Sequence, residues 1–377
     1  MSIRRIRALA RKEFIQMSRD IRSLMGALFI PLLMIFLFGY ALSLDVDRIP
    51  TVVLDRDGTP VSRDLVHRLT DSRYFSLIRH MRTDREIDEA LARGDALMAL
   101  VIPGDFASSV KKGKAVAVQV VFDGSDSNSA TLALGYLKAV IAGFDVGIQE
   151  KRLQRAGLKM VDMPLEGRTR VWFNPELKSR NFIIPGLTGV IMMAICALMT
   201  ALSVSREKET GTLEQLISTP ISSMELLLGK LLPYVVVGLV DLALVVGAGV
   251  LIFDVPFRGS YIHLVLISLV FLTGTLSWGL FVSVISRSQL QASQIAVLSA
   301  FLPSFLLSGF IYPIENMPVP LQVITFIVPA RYFVEILKGL FLQGVGFSVL
   351  WPQVLALVIY AVVIFNLAHR KFSMRIM

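Results

Sequence analysis

The sequence predicts an α-helical polytopic membrane protein, with six transmembrane helices in a 1+5 arrangement and an α/β extracytoplasmic domain inserted after the first. Three observations predict it. Of the 377 residues 54% are hydrophobic, with a mean hydropathy of +0.65, too apolar for an ordinary soluble domain. Six separate stretches each supply about 20 mostly uncharged residues, the length at which a helix crosses a hydrocarbon core about 30 Å thick. Between the first two lies a charged segment, residues 45–178, in which short β-branched runs alternate with amphipathic stretches.

Residues 1–22 read as a cytoplasmic amphipathic helix. Ile3, Ile6, Ala10, Phe14, Met17 and Ile21 recur at helical spacing, with basic residues filling most other positions. Such a helix lies on the inner leaflet, either as a topology anchor or as an elbow that also touches a cytoplasmic partner. The spans are 23–44, 181–204, 231–253, 261–285, 293–312 and 350–368. The first is too long an apolar run for a signal-peptide core, so it is expected to stay. Pro303 predicts a kink in the fifth span. Thr275, Gly279 and Ser283 form a small-residue stripe that lets another helix approach the fourth. Residues 313–346 are interrupted by Pro329, Arg331, Glu335 and Lys338, which predicts a pair of short re-entrant or interfacial helices. Arg331 and Glu335, four apart, are spaced for a salt bridge.

Charge sets the orientation. Arg4, Arg5, Arg7, Arg11, Lys12, Arg19 and Arg22 precede the first span, and Arg370, Lys371 and Arg375 follow the last. Both termini are therefore expected in the cytoplasm. The net charge of +9 is explained by these flanks and by anionic lipid, so nucleic acid is not an expected partner. The single Cys196 lies in an apolar stretch and allows no internal disulfide.

In residues 45–178, strands are predicted at 51–54, 75–78, 96–102 and 116–122, with helices near 61–70, 84–93 and 104–111 between them. That rhythm predicts a partly parallel sheet. A long helix, roughly 128–156 and ended by Gly157, returns the chain toward the five-helix domain of residues 179–377. Asp55, Asp57 and Gly58 read as turn chemistry, and no residues have metal-ligand spacing.

Residues 205–229 are the most informative segment. Arg206, Glu207, Lys208, Glu209, Thr210, Gly211, Thr212 and Glu214 place charges of both signs where the chain leaves the bilayer. Gly211 permits a sharp break, and Pro220 allows a second short helix over 221–228. The segment is either a force-transmitting element or a solvated loop with incidental salt bridges. Asp241, near the centre of the third span, is a candidate for the translocation path, contacting a cationic substrate or a proton. It could equally bond to Ser, Thr or a backbone group on a neighbouring helix.

The run Glu207 to Glu214 resembles the cytoplasmic signature of type-2 ABC transporter permeases, an E-x-E-x-G-T-x-E stretch after the second span. Lys12-Glu13-Phe14 with Arg19-Asp20, and the segment from Ser308 to Pro318, fit the same family. The resemblance covers nearly the whole chain. It implies that Arg206 to Glu214 and the helix beyond Pro220 contact a separate ABC ATPase subunit, that a second permease copy or paralogue completes the membrane domain, and that the location is the bacterial inner membrane. The branch with a large extracytoplasmic domain implies export of drug-like or other lipophilic compounds, or of sodium or lipid, in some members with a periplasmic adaptor protein. The chain itself carries no G-x-x-x-x-G-K-[ST] phosphate cradle, since Gly229-Lys230 is followed by Leu231. ATP and Mg are thus expected to be used by the partner, with no cofactor bound here. A secondary transporter fits poorly with a single central Asp241 and a 1+5 arrangement. A membrane-anchored receptor would need a cytoplasmic signalling domain.

Overall fold

A computed structural model of the chain describes residues 2–41, 48–72, 74–125, 127–155, 172–174, 178–217, 219 and 221–376; Gly157 and Pro220 lie outside them. The chain forms two compact units, one of residues 1–43 and 171–377 and the other of residues 44–170. The first unit opens with α1 (Ile3–Arg19) and α2 (Ile21–Ala41). The second contains β1 (Ile49–Asp55), α3 (Pro60–Asp71), β2 (Phe75–His80), α4 (Asp84–Ala92), β3 (Met98–Ile102), α5 (Phe106–Lys112), β4 (Gln119–Phe122) and α6 (Ser127–Arg155). The first then resumes with α7 (Ser179–Glu209), α8 (Thr212–Ile217), α9 (Ser223–Leu251) and α10 (Tyr261–Ile285). It ends with α11 (Gln289–Ala296), α12 (Leu302–Leu307), α13 (Val319–Thr325), α14 (Pro329–Lys338) and α15 (Phe347–Ile376).

In the second unit the strands lie in the order β2-β1-β3-β4. The β1 strand pairs in parallel with β2 and β3, and β4 runs antiparallel to β3. The core strand β3 is buried along its whole length, as expected of a strand covered on both faces. On one face Val53, Leu100 and Phe106 pack with Ala133, Leu137 and Phe144 of α6; on the other Val52 and Val101 pack with Ile87. The Asp55 turn is built as its residues predict: Asp55 Oδ1 accepts from the amides of Asp57 and Gly58, with Gly58 at φ +60°.

Seven helical segments of the described residues are long and apolar enough to cross a membrane: Leu24–Ala41, Ser129–Lys151, Ser179–Glu209, Ser223–Leu251, Tyr261–Ile285, Gln289–Leu307 and Phe347–Phe372. Six match the spans read from the sequence. The seventh lies in α6, which the sequence reading treated only as a returning helix. In the first unit α7 is the central element, packing against α2, α9, α10, α11 and α14. Its contact with α10 runs along the small-residue stripe: Thr275 and Ser283 are fully buried, and Thr200 Oγ1 donates across the interface to the carbonyl of Leu276 at 3.0 Å.

Several boundaries differ from expectation. The second span does not end at residue 204: α7 runs on to Glu209. The third span begins eight residues early, because Ser222 and Glu225 form a capping box that starts α9 at Ser223. Residues 221–228 are therefore no separate short helix. Around Pro303 the fifth span winds as a π-helix over Val297–Phe301, the local adjustment by which a helix absorbs a missing amide donor. Residues 313–346 form short broken helices as predicted, but among the described residues no ion pair joins Arg331 to Glu335. Arg331 instead bonds Thr325 Oγ1 and stacks 4.0 Å over the Phe326 ring, while Glu335 accepts from Gln353 at 2.8 Å.

Candidate coupling site

The signature segment is first a helix terminus. The last turn of α7 is Arg206 to Glu209, and its carbonyls need partners that the helix cannot supply. Thr210 Oγ1 donates to the carbonyl of Arg206 at 3.0 Å, and Thr212 Oγ1 to that of Glu207 at 3.3 Å. Gly211 takes the left-handed conformation at φ +73°, a backbone state that costs glycine nothing. The Thr-Gly-Thr triplet thus stops α7 and turns the chain at once into α8. The α8 helix starts at Thr212.

The charges of the same turn are spent on internal ties. Glu207 is 1% exposed and bonds two ammonium groups, Lys230 of α9 and Lys12 of α1, each at 2.5 Å. Lys230, fully buried, also reaches Glu13 of α1 at 2.7 Å, and Lys12 lies 3.1 Å from Glu13. Two carboxylates and two ammonium groups form a neutral quartet, dry except at Lys12, whose side chain is 40% exposed. Desolvation lowers the affinity of Lys12 for its proton, but the hydrogen bond to Glu207 and the fields of Glu13 and Glu207 outweigh it, so its pKa lies above the usual lysine value. Around the quartet, Arg206 pairs with Asp20, the residue that caps the end of α1, Lys208 donates to the carbonyl of Ser286 at 2.6 Å, and Glu209 accepts from the Gln289 amide at 2.6 Å. Ser2 at the start of α1 donates its amide to Glu225 of α9 at 2.6 Å. Gly229 lets α1 and α9 close: a Cβ there would stand 2.6 Å from Leu9.

Of the residues predicted to meet a partner, Arg206, Glu207, Lys208 and Glu209 are each held by a neighbouring element, while Thr212 and Glu214 stand exposed on α8. The sequence reading missed the burial of Lys230 and Glu13. It placed Lys230 as a cytoplasmic flank. Of the apolar positions read for the N-terminal helix, Ile6 and Met17 are buried, together with Leu9 and Glu13, whereas Ile3, Phe14 and Ile21 are exposed. A signal was present, since the two segments quoted with the signature contain Lys12, Glu13 and Asp20, its pairing partners. The Ser308 to Pro318 segment lies apart: Gly309, at φ +76°, offers its carbonyl to Lys338 at 2.9 Å, and Phe310 packs on Gly186 of α7.

Asp241 is 2% exposed in the middle of α9, and among the described residues neither of its carboxylate oxygens has a hydrogen-bond partner. One turn before it, Gly238 abuts Leu272 of α10 and Cys196 of α7. The carboxylate is thus set at the α7, α9, α10 junction with no Ser, Thr or backbone bond among the described residues.

Comparison with known proteins gives the arrangement its family. Residues 21–370 match the model of the ABC-2 family transporter proteins. The chain is 40% identical over 378 residues to the probable multidrug ABC transporter permease YbhS of Escherichia coli, covering 100% of this chain and 98% of that protein. It is 28% identical to the probable multidrug ABC transporter permease YbhR of the same organism, covering 99% of both. It is 29% identical to the inner membrane transport permease YhhJ, over 94% of this chain and 95% of that protein. With several apolar helices able to span a bilayer, a packed helix terminus carrying the signature, and these matches along its whole length, the chain belongs to the ABC-2 transporter family, as the permease subunit of an ATP-driven exporter whose ATP is hydrolysed by a separate ABC ATPase.

Proposed function

We propose that this permease moves drug-like or other lipophilic compounds out of the cytoplasm or the inner leaflet, as one of two identical or paralogous copies in the bacterial inner membrane above two ATPase subunits. Six helices span the bilayer and both termini are cytoplasmic; α6, although long enough, buries one face against the sheet of its own unit. The α/β unit is extracytoplasmic, where a periplasmic adaptor can engage it. ATP and Mg stay with the partner subunit. Lipid, sodium or another cargo is the alternative for the same machinery. The names of the Escherichia coli relatives support the drug-like class.

The observation that carries the coupling role is the division of labour just described. The quartet locks α1, α7 and α9 into one body, and α8 projects from it with Glu214 exposed. A push on α8 then reaches three elements together. Glu214→Lys is expected to lower substrate-stimulated ATPase turnover of the reconstituted complex at least about tenfold, by reversing charge at a contact, with insertion and melting midpoint unchanged. Full stimulation in that variant would reject the assignment.

Asp241 is the candidate group on the path. Asp241→Asn keeps the shape and removes the charge, so efflux of a cationic dye from intact cells is expected to fall while that of a neutral lipophilic compound persists. Equal efflux of both by the variant would confine Asp241 to a structural role.

A further inference from the structure

Beside the quartet lies a cavity of about 230 Å³, between α1, α2, α7 and α9. Its two ends differ in chemistry. Where α1 and α7 end, Gln16, Asp20, Ser203, Arg206 and Tyr234 line it; further along α2 and α7, Ala27, Ile30 and Ile195 form an apolar wall. The polar end is partly open, with Arg206 41% and Asp20 28% exposed, and the Tyr234 hydroxyl is bonded to Ser203. A carboxylate and a guanidinium side by side, above a slot of aliphatic surface, match a molecule with a negative and a positive group on one short head and a hydrocarbon tail.

We propose that this cavity binds one phospholipid of the inner leaflet with a zwitterionic, phosphate-and-ammonium headgroup. Arg206 takes the phosphate through charge-assisted hydrogen bonds, Asp20 takes the ammonium, and an acyl chain runs along Ala27 and Leu202. The assignment runs against the basic surface of α1, which by itself favours anionic lipid. It also ties the lipid to the ion pair that joins α1 to the end of α7, and it is independent of which compound is exported.

The test is native mass spectrometry of the full chain, purified in mild detergent and offered equal amounts of phosphatidylethanolamine and phosphatidylglycerol. The parent is expected to retain one phosphatidylethanolamine per protomer over phosphatidylglycerol by about tenfold, the scale of one charge-assisted contact. Asp20→Asn removes the carboxylate that would take the ammonium and keeps the Arg206 charge, and is expected to reverse the preference toward phosphatidylglycerol. Gly26→Leu fills the slot, and a Cβ at that position meets only Ile30 at an ordinary 3.9 Å, so the helix is undisturbed and retention of both lipids is expected to vanish. Equal retention of the two lipids by the parent would overturn the proposal. So would undiminished retention in Gly26→Leu, which keeps the ion pair and decides the matter even if Asp20→Asn fails to fold.

Discussion

Lys230→Met is expected to be the most damaging single change at the cytoplasmic end of the molecule. Lys230 is fully buried, within 2.5 Å of Glu207 and 2.7 Å of Glu13, both almost wholly buried. Without it, two carboxylates face each other in a dry site with only the half-open Lys12 between them. Breaking a buried pair by removing one partner costs about 3–5 kcal/mol, because the remaining charge is neither hydrated nor matched. The melting midpoint of the detergent-purified protein should fall by on the order of 10 °C, on the scaling for domains of similar core size. The same reasoning gives the control. Neutralising the three buried groups, as Glu13→Gln, Glu207→Gln and Lys230→Met together, leaves only Lys12 charged, and its side chain, 40% exposed, can be hydrated; replacement of buried charges by neutral groups is often tolerated. That triple variant should melt within a few degrees of the parent by the same scaling yet lose substrate-stimulated ATPase turnover. A single variant as stable as the parent would mean that the quartet is hydrated and does not bind α1 to α7 and α9.

The second large effect lies deeper, at Gly279. A Cβ on this residue would stand 2.1 Å from Thr200 Oγ1 and 2.2 Å from the carbonyl oxygen of Ala197. The threonine could rotate, but the carbonyl belongs to the backbone of α7 and cannot. Gly279→Ala must therefore push α10 away from α7 by more than an ångström, stretching the bond from Thr200 to the Leu276 carbonyl. Overpacking of this kind costs about 1–3 kcal/mol, and more where backbone blocks relaxation. Gly279→Leu should yield protein that inserts but is cleared by proteolysis. Gly247→Ala is the matched control, since nothing lies within 4 Å of its Cβ position; it should be neutral or slightly stabilising through reduced chain entropy. The measurement is the amount of folded protein after detergent extraction, together with its melting midpoint. Gly279→Ala as stable as the parent would mean that the two helices do not approach this closely.

The long apolar helices, the order of strands and helices in the α/β unit and the small-residue stripe could be read directly, because each depends on local periodicity or composition. The quartet could not. Glu13 and Lys230 are 217 positions apart, and a window that scores each charge alone assigns it to water. Only the pairing makes their burial affordable. The true start of α9 was legible in Ser222 and Glu225 but was masked by reading any charged stretch between spans as loop. Arg331 and Glu335 satisfied the spacing rule for a helical pair, yet Thr325, Phe326 and Gln353 offered each a better partner. The apolar length of α6 illustrates the converse limit: hydropathy reports that a surface avoids water, not whether protein or lipid covers it.

The continuity of α7 has a mechanical consequence. Thirty-one residues in one helix make a rod about 46 Å long, anchored near its middle against α10 and ending in the clustered charges. Tilting such a rod by about 5° about that anchor carries each tip sideways by roughly 2 Å, in opposite directions. On the coupling role proposed above, a subunit at the charged end need supply only a small displacement, and it reaches Gly186, where α7 meets Phe310, along a stretch of helix that no proline interrupts.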